Sequence, residues 1–354
     1  MLTKRAEACS LVSNVAGRVS PFWALEAVVL RYFLWRILMM VPTLLVISVI
    51  SFVLIQLPPG DYLTSYIAML EMSGNPIDEE VIANLERRFG LDRPVYIQYF
   101  RWIWNFVQGD MGRSFEANRP VAELIGDRLV LTVVVASFSL VFVYAVAIPI
   151  GIYSATHQYS SGDFFFTALG FLGLATPNFL LALVLMFVAF AFFNQSVGGL
   201  FSPEYIQATW SLGKVWDLLK HLWIPVVVVG TAGTAGHIRV MRGNLLDELK
   251  KQYVITARAK GVTERVLLFK YPVKLAINPM VSTVGWLLPE LISGATITSV
   301  VLGLPTTGPL LLRALLNQDM YLACSFLMLL AILTVVGTLV SDILLAWVDP
   351  RIRY

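Results

Sequence analysis

Apolar residues in this chain gather into long runs set apart by polar intervals. The runs fall at 37–57, 130–153, 164–193, 222–241, 279–301 and 321–347. A helix of about 20 apolar residues crosses the roughly 30 Å hydrocarbon layer of a bilayer. The pattern therefore predicts an all-α integral membrane protein with about six transmembrane helices. Pro149 and Gly151 interrupt the second run. Such breakers are tolerated where neighbouring helices re-satisfy the backbone. Pro177 lies inside the third run and predicts a kink there. In the fourth, Gly230, Gly233 and Gly236 recur at every third residue. Small residues in such a row let helices approach closely, so that face is expected to meet another helix.

The polar intervals set the topology. Between 242 and 274 the cations Arg242, Lys250, Lys251, Arg258, Lys260, Arg265, Lys270 and Lys274 face only Asp247, Glu248 and Glu264. A basic excess in a short loop between spans marks the cytoplasmic side. Arg31 and Arg36 ahead of the first run, and the basic tail Asp349-Pro-Arg-Ile-Arg-Tyr354, place both termini on that side. Pro58-Pro-Gly-Asp61 ends the first span, and 58–127 carries 6 Arg against 11 Asp or Glu. This acidic segment is read as extracytoplasmic, with structure of its own. Val81, Ile82, Leu85 and Phe89 fall on one face of an expected amphipathic helix at 78–89. Gly90-Leu-Asp-Arg-Pro94 breaks it, and 94–107 is a second helical stretch rich in aromatics. Those aromatics either dock a binding protein or pack at the membrane interface.

Residues 1–30 form an N-terminal cytoplasmic extension in which 21–30 is apolar apart from Glu26. Such a stretch can lie on a membrane surface. With no long apolar core ahead of a small-residue cleavage site, it does not read as a signal peptide.

Composition narrows the function. The 354 residues are 57% hydrophobic and 14% charged, with mean hydropathy +0.74. Soluble domains carry about a quarter charged residues. A net charge of +3 placed by topology does not indicate a nucleic-acid partner. Cys9 and Cys324 lie too far apart in kind of segment to suggest a bridge, and His157, His221 and His237 share no ligand spacing. The sequence contains no Gly-x4-Gly-Lys-Ser/Thr phosphate loop, no His-Glu-x-x-His and no Gly-x-Ser-x-Gly. Nothing in it supports ATP hydrolysis or other covalent chemistry, so the reading is a transport subunit and not an enzyme.

Within the basic loop, Tyr253-Val-Ile-Thr-Ala-Arg-Ala-Lys-Gly-Val262 resembles the signature loop of ABC-importer permeases of the dipeptide/oligopeptide/nickel branch. The resemblance runs from about residue 31 to the C-terminus and includes Pro58-Pro-Gly-Asp61, Gly109-Asp-Met-Gly-Arg-Ser-Phe115, Ala175-Thr-Pro-Asn-Phe179 and the tail from Asp349. It implies a type I importer permease in the bacterial plasma (inner) membrane. The first span would occupy 31–57, the outer segment 58–127, and the permease core 128–354 with its coupling loop at 243–278. The expected partners are a second homologous permease, two ATPase subunits that carry ATP and Mg, an extracytoplasmic substrate-binding protein and a peptide substrate. This chain itself would bind no cofactor and no metal.

Thr256, Ala257, Arg258, Ala259, Lys260 and Gly261 would then form the helix that docks on an ATPase. Gly261 either ends that coupling helix or is an ordinary helix stop. Arg258 and Lys260 either pair with acids on the ATPase or hold the loop at lipid headgroups. Asn178, Glu290 and Ser299 are candidates for the translocation path, though Glu290 beside Pro289 also reads as a structural acid at a helix break. Asp342 reads as structural, and Arg239 and Arg242 as interface anchors. The family pattern differs at Ser299 and Thr306, and at Ile255 and Tyr271 around the loop. Nickel or oligosaccharide cargo stays open, as does a secondary transporter or channel working without an ATPase.

Overall fold

The computed structural model describes residues 22–58, 60, 62–72, 82–84, 86–87, 90–193, 195 and 198–348. The expected amphipathic helix at 78–89 falls largely outside the described residues, as do most of the N-terminal extension and the C-terminal tail. Among the described residues the chain is helical, with one isolated backbone bridge between Arg113 and Pro120.

The helices are α1 (Phe22–Gln56), α2 (Tyr62–Met72), α3 (Val95–Val107), α4 (Val121–Thr156), α5 (Ser161–Ala175), α6 (Asn178–Phe193), α7 (Leu212–Leu249), α8 (Gln252–Ala259), α9 (Glu264–Lys270), α10 (Pro272–Ala276), α11 (Asn278–Gly294), α12 (Thr296–Val301), α13 (Thr307–Leu316) and α14 (Met320–Val348). Four of them are long and apolar enough to cross a membrane: α1, α4, α7 and α14. The pair α5 and α6 makes a fifth candidate, bent by 105°. Pro177 sits in that break, where it supplies no N–H and disfavours a helical residue before it. The kink expected at Pro177 is thus nearly a right angle. The apolar run at 279–301 is not one continuous helix, since α11 has 17 residues and the chain turns at Ala295 before α12.

α4 and α7 form the broadest contact, and glycines make it possible. A Cβ on Gly230 would lie 2.6 Å from Phe142 Cδ1, and one on Gly151 would lie 2.6 Å from Met241 Cβ. Gly233 faces Val143 at 3.4 Å, whereas Gly236 faces open space. The small-residue row therefore works as a packing face along two of its three positions.

The end of the bundle that carries α2 and α3 is closed by an aromatic cluster around Trp102, Phe52 and Phe115. Trp102 is fully buried and donates from Nε1 to Ser325 Oγ at 3.2 Å, while that serine donates to the Met111 carbonyl. Asp319, also fully buried, caps the start of α14. It accepts from Ser114 Oγ at 2.5 Å and from the Glu116 N–H at 3.3 Å. Burial pushes the Asp319 carboxyl above its usual range despite these hydrogen bonds. The turn at Gly112 packs so closely that a Cβ there would lie 2.7 Å from the Tyr321 ring. The loop from 109 to 116 is therefore fastened to α14 by a buried carboxylate and a ring edge.

The 303–308 turn is fastened the same way. Thr132 Oγ1 on α4 accepts from the Thr307 N–H at 3.0 Å and lies 3.1 Å from Thr307 Oγ1.

At the opposite end, Met241, Leu245, Val273, Ala276 and Met280 pack with Ala147 and Ala155 into one cluster. This cluster is the platform for the basic loop.

Candidate coupling site

The basic loop leaves α7 at Lys250 and folds into three short helices, α8 to α10. Val254 of α8, Leu267 of α9 and Val273 of α10 turn inward, the first two with no exposed surface. α10 packs along α7. The loop is therefore a seated structure with a buried underside.

Glu248 fixes the start of α8. Its carboxylate accepts from Lys251 Nζ and from the Tyr253 hydroxyl, both at 2.6 Å. Burial by itself would raise the Glu248 carboxyl, but these two donors outweigh it and hold the group below its ordinary value. Burial and the facing carboxylate push the Tyr253 hydroxyl upward, so it stays a donor at neutral pH.

The end of α8 is set by Gly261. With φ at +78°, it occupies the left-handed region that a residue with Cβ resists. Its N–H donates to the Arg258 carbonyl at 3.0 Å, and the Val262 N–H donates to the Ala257 carbonyl at 3.3 Å. These two bonds make a Schellman cap, which satisfies carbonyls that a helix end leaves bare.

Arg258 then spans the turn. Its Nε donates to Glu264 Oε1 at 2.6 Å and its Nη2 to Glu264 Oε2 at 3.1 Å. This two-pronged pair joins the last turn of α8 to the first turn of α9. The hydrogen bonds hold the Arg258 guanidinium above its ordinary value and the Glu264 carboxyl below its own.

Of the six residues expected to couple, Thr256, Arg258, Ala259, Lys260 and Gly261 are exposed, and Ala257 is half-buried. The sequence motif therefore lies on the outer face of a braced projection. Arg258 is engaged within the chain, whereas Lys260 has no carboxylate within ion-pair reach among the described residues. Exposed apolar side chains at Ile255, Val266 and Phe269 adjoin the charges.

Arg242 braces the base of α7. Its Nε and Nη2 donate to Asp163 Oδ1 and Oδ2 at 3.2 and 3.0 Å, and the Tyr159 N–H donates to the same carboxylate. The turn at 157–160 is thereby tied to the helix that feeds the coupling loop. The interface anchor expected at Arg242 is thus also one half of an ion pair. No local signal in the sequence points to Asp163 as its partner, or to Glu248 and Tyr253 as braces of the loop.

The three path candidates are placed apart in character. Asn178 stands half-buried at the start of α6, directly after the Pro177 break. Glu290 lies on the exposed face of α11 and makes no hydrogen bond or ion pair with described residues, which leaves the structural-acid reading without a partner. Ser299 is only 3% exposed in α12, so in this conformation it offers little surface to a passage. Thr306, where the family pattern differs, is buried as well, and its hydroxyl has no hydrogen-bond partner among the described residues.

Residues 147–354 match the family described as binding-protein-dependent transport system inner membrane component. The chain belongs to that family. The corresponding N-terminal region of such membrane components matches residues 29–136. Relatives in this family include the oligopeptide transport system permease protein AppB of Bacillus subtilis, 36% identical over 91% of this chain and 99% of its own length. The dipeptide transport system permease protein DppB of Alkalihalophilus pseudofirmus is 29% identical over 92% of this chain and 100% of its own. The peptidoglycan transport system permease protein YejB of Agrobacterium fabrum is 28% identical over 91% and 98%. Membership, together with the apolar helices, makes this chain a multi-pass inner-membrane permease component.

Proposed function

We propose that this chain is one of two homologous permeases in an ATP-driven importer of di- or oligopeptides. Two ATPase subunits, which bind ATP and Mg, and an extracytoplasmic substrate-binding protein complete the complex. The observation that carries the reading is the seated projection 252–261, whose motif residues face outward while Val254 and Leu267 anchor it. A braced helix at the end of a long membrane helix can pass on a displacement, where a loose loop would absorb it.

In this reading the broken helix α11–α12 supplies a sixth span, and both termini lie in the cytoplasm with the coupling loop. Closure of the ATPases around ATP changes their affinity for the two permease conformations, and that difference drives alternating access. The Glu248 bonds to Lys251 and Tyr253 and the Arg258–Glu264 pair keep α7, α8 and α9 moving as one body, and the Arg242–Asp163 pair ties α5 to it. Glu290, exposed on α11, lines the shared passage and meets the cationic amine of a peptide. Peptide cargo is supported by the names of the oligopeptide and dipeptide relatives.

The test is purification of the tagged chain from its native membrane in mild detergent, followed by reconstitution into liposomes. A second permease and ATPase chains are expected to co-purify, and uptake of labelled oligopeptide is expected to require enclosed ATP and added binding protein. Solute uptake by the chain alone would make it a secondary transporter. Uptake of nickel or an oligosaccharide in place of peptide would keep the importer and replace its cargo.

A further inference from the structure

A cavity of about 350 Å³ opens where the α5–α6 break leaves a gap against α4 and α7. Phe142, Ile150, Leu169, Gly173, Leu185 and Ala235 are among the residues that line it. Its polar wall atoms include three threonine hydroxyls that are already committed. Thr176 Oγ1 donates to the Leu172 carbonyl at 2.8 Å, Thr231 Oγ1 to Val227 at 2.5 Å and Thr234 Oγ1 to Gly230 at 2.8 Å. Each proton stays within its own helix, so the wall has no free donor for a peptide or a sugar. Hydrocarbon is the chemistry that such a surface accepts.

One edge of the groove is charged. Arg239 follows the lining residue Ile238 on α7, toward the end that carries the basic loop. Its guanidinium stacks over Phe171, 5.4 Å from the ring centroid, between the lining residues Gly170 and Leu172. Arg239 is exposed and has no carboxylate within ion-pair reach among the described residues. A guanidinium held on an aromatic face keeps its edge free for a bidentate oxyanion.

We propose that this groove holds an acyl chain of one anionic phospholipid, whose phosphate pairs with Arg239. An apolar slot at the depth of membrane helices, ending in an unpaired cation, has the two-part chemistry of such a lipid. The bound chain fills the gap behind the Pro177 break and props α5 and α6 against α4 and α7. This assignment depends on the membrane setting and stands whatever the cargo.

The test uses the full chain, purified with whatever partners accompany it, stripped of loosely held lipid and titrated by native mass spectrometry. The probes are phosphatidylglycerol and phosphatidylcholine of equal chain length. The wild-type chain is expected to take up one phosphatidylglycerol with about a tenfold preference, the scale of one charge-assisted hydrogen bond. Arg239→Gln should abolish the preference and keep the uptake. Leu169→Trp and Leu172→Trp, at positions 52% and 64% exposed, should block the slot without disturbing the core. Equal binding of the two lipids by the wild type, or binding untouched by both tryptophans, would overturn the proposal. A Leu169→Cys chain that crosslinks to a neighbouring protein chain in native membranes would also overturn it, by putting protein where the lipid is placed.

Discussion

Gly285 and Gly337 meet backbone to backbone where α11 crosses α14. A Cβ on Gly285 would stand 2.5 Å from the Gly337 carbonyl oxygen and 2.6 Å from Thr338 Cα. One on Gly337 would stand 2.5 Å from the Gly285 carbonyl oxygen. Backbone atoms on both sides cannot swing aside as a side chain would. The crossing fixes α11, the helix that carries Glu290, to the last membrane helix.

Alanine at either glycine must push the helices apart. Gly285→Ala and Gly337→Ala are each expected to cost about 1–3 kcal/mol, the scale of overpacking a tight core. Gly236→Ala is the control, because nothing lies within 4 Å of its would-be Cβ. It should be neutral, or stabilising by up to about 1 kcal/mol through helix propensity. Thermal loss of the monodisperse peak in size-exclusion chromatography reads all three. Equal behaviour of Gly285→Ala and Gly236→Ala would mean the crossing is looser than described.

Asp319 should tolerate loss of charge better than loss of both its oxygens. Asp319→Asn keeps one acceptor oxygen, enough for Ser114 and the Glu116 N–H on Oδ2, but puts an amide nitrogen where Oδ1 accepts from the Leu322 N–H; burial already disfavours the ionised carboxyl. Asp319→Ala strands those donors, at about 1–3 kcal/mol for each buried group left unpaired. Unfolding midpoints in detergent should place Asn between the wild type and Ala, with Ala lowest. The reverse order would show that the charge itself is needed.

A charge swap separates two roles of Arg258. The double variant Arg258→Glu with Glu264→Arg restores an ion pair across the Gly261 turn, while each single change leaves like charges facing. If the pair acts as a brace, the singles lose ATP-driven uptake and the double recovers a large share. If Arg258 instead reaches an acid on an ATPase, the double fails along with the singles. Gly261→Ala is expected to weaken the same turn by about 1–2 kcal/mol, the cost of a left-handed residue with a Cβ. Hydrogen exchange across 256–264 should rise in step.

The Glu248 brace predicts an acid limit for the loop. Its folded value is depressed, so its contribution is present above the ordinary carboxylate value of 4.5 and is lost as pH falls through the folded value. Hydrogen exchange over 249–260, corrected for intrinsic rates, should stay protected near neutral pH and open in that acid window. Glu248→Gln should remove the pH dependence. A wild-type profile identical to that of the variant would rule this brace out.

Much of the fold was legible because membrane helices obey a simple length and hydropathy requirement. The Pro177 break, the Gly230 and Gly233 packing face and the Gly261 helix stop each follow from one residue's backbone chemistry. Pairings between distant residues were not legible. Asp163 and Arg242 lie 79 residues apart, and Ser114 and Asp319 lie 205 apart, with no periodicity to join them. Direction around a helix was also hidden. Depth makes Glu290 a path candidate and the family resemblance makes Ser299 one, but neither tells that Glu290 stands exposed on α11 and Ser299 is packed inside α12. Arg258 and Glu264 flank a Gly-containing turn, and that spacing was a usable signal for a brace.

Crosslinking from Lys260 tests the central claim most directly. A Lys260→Cys chain, expressed with its native partners in the membrane, would be treated with a short thiol-to-amine reagent with and without a non-hydrolysable ATP analogue. The account predicts one main adduct, to an ATPase subunit, with a yield that changes with nucleotide. An adduct to lipid or to no protein, equal in both conditions, would contradict the assignment of 252–261 as the coupling helix.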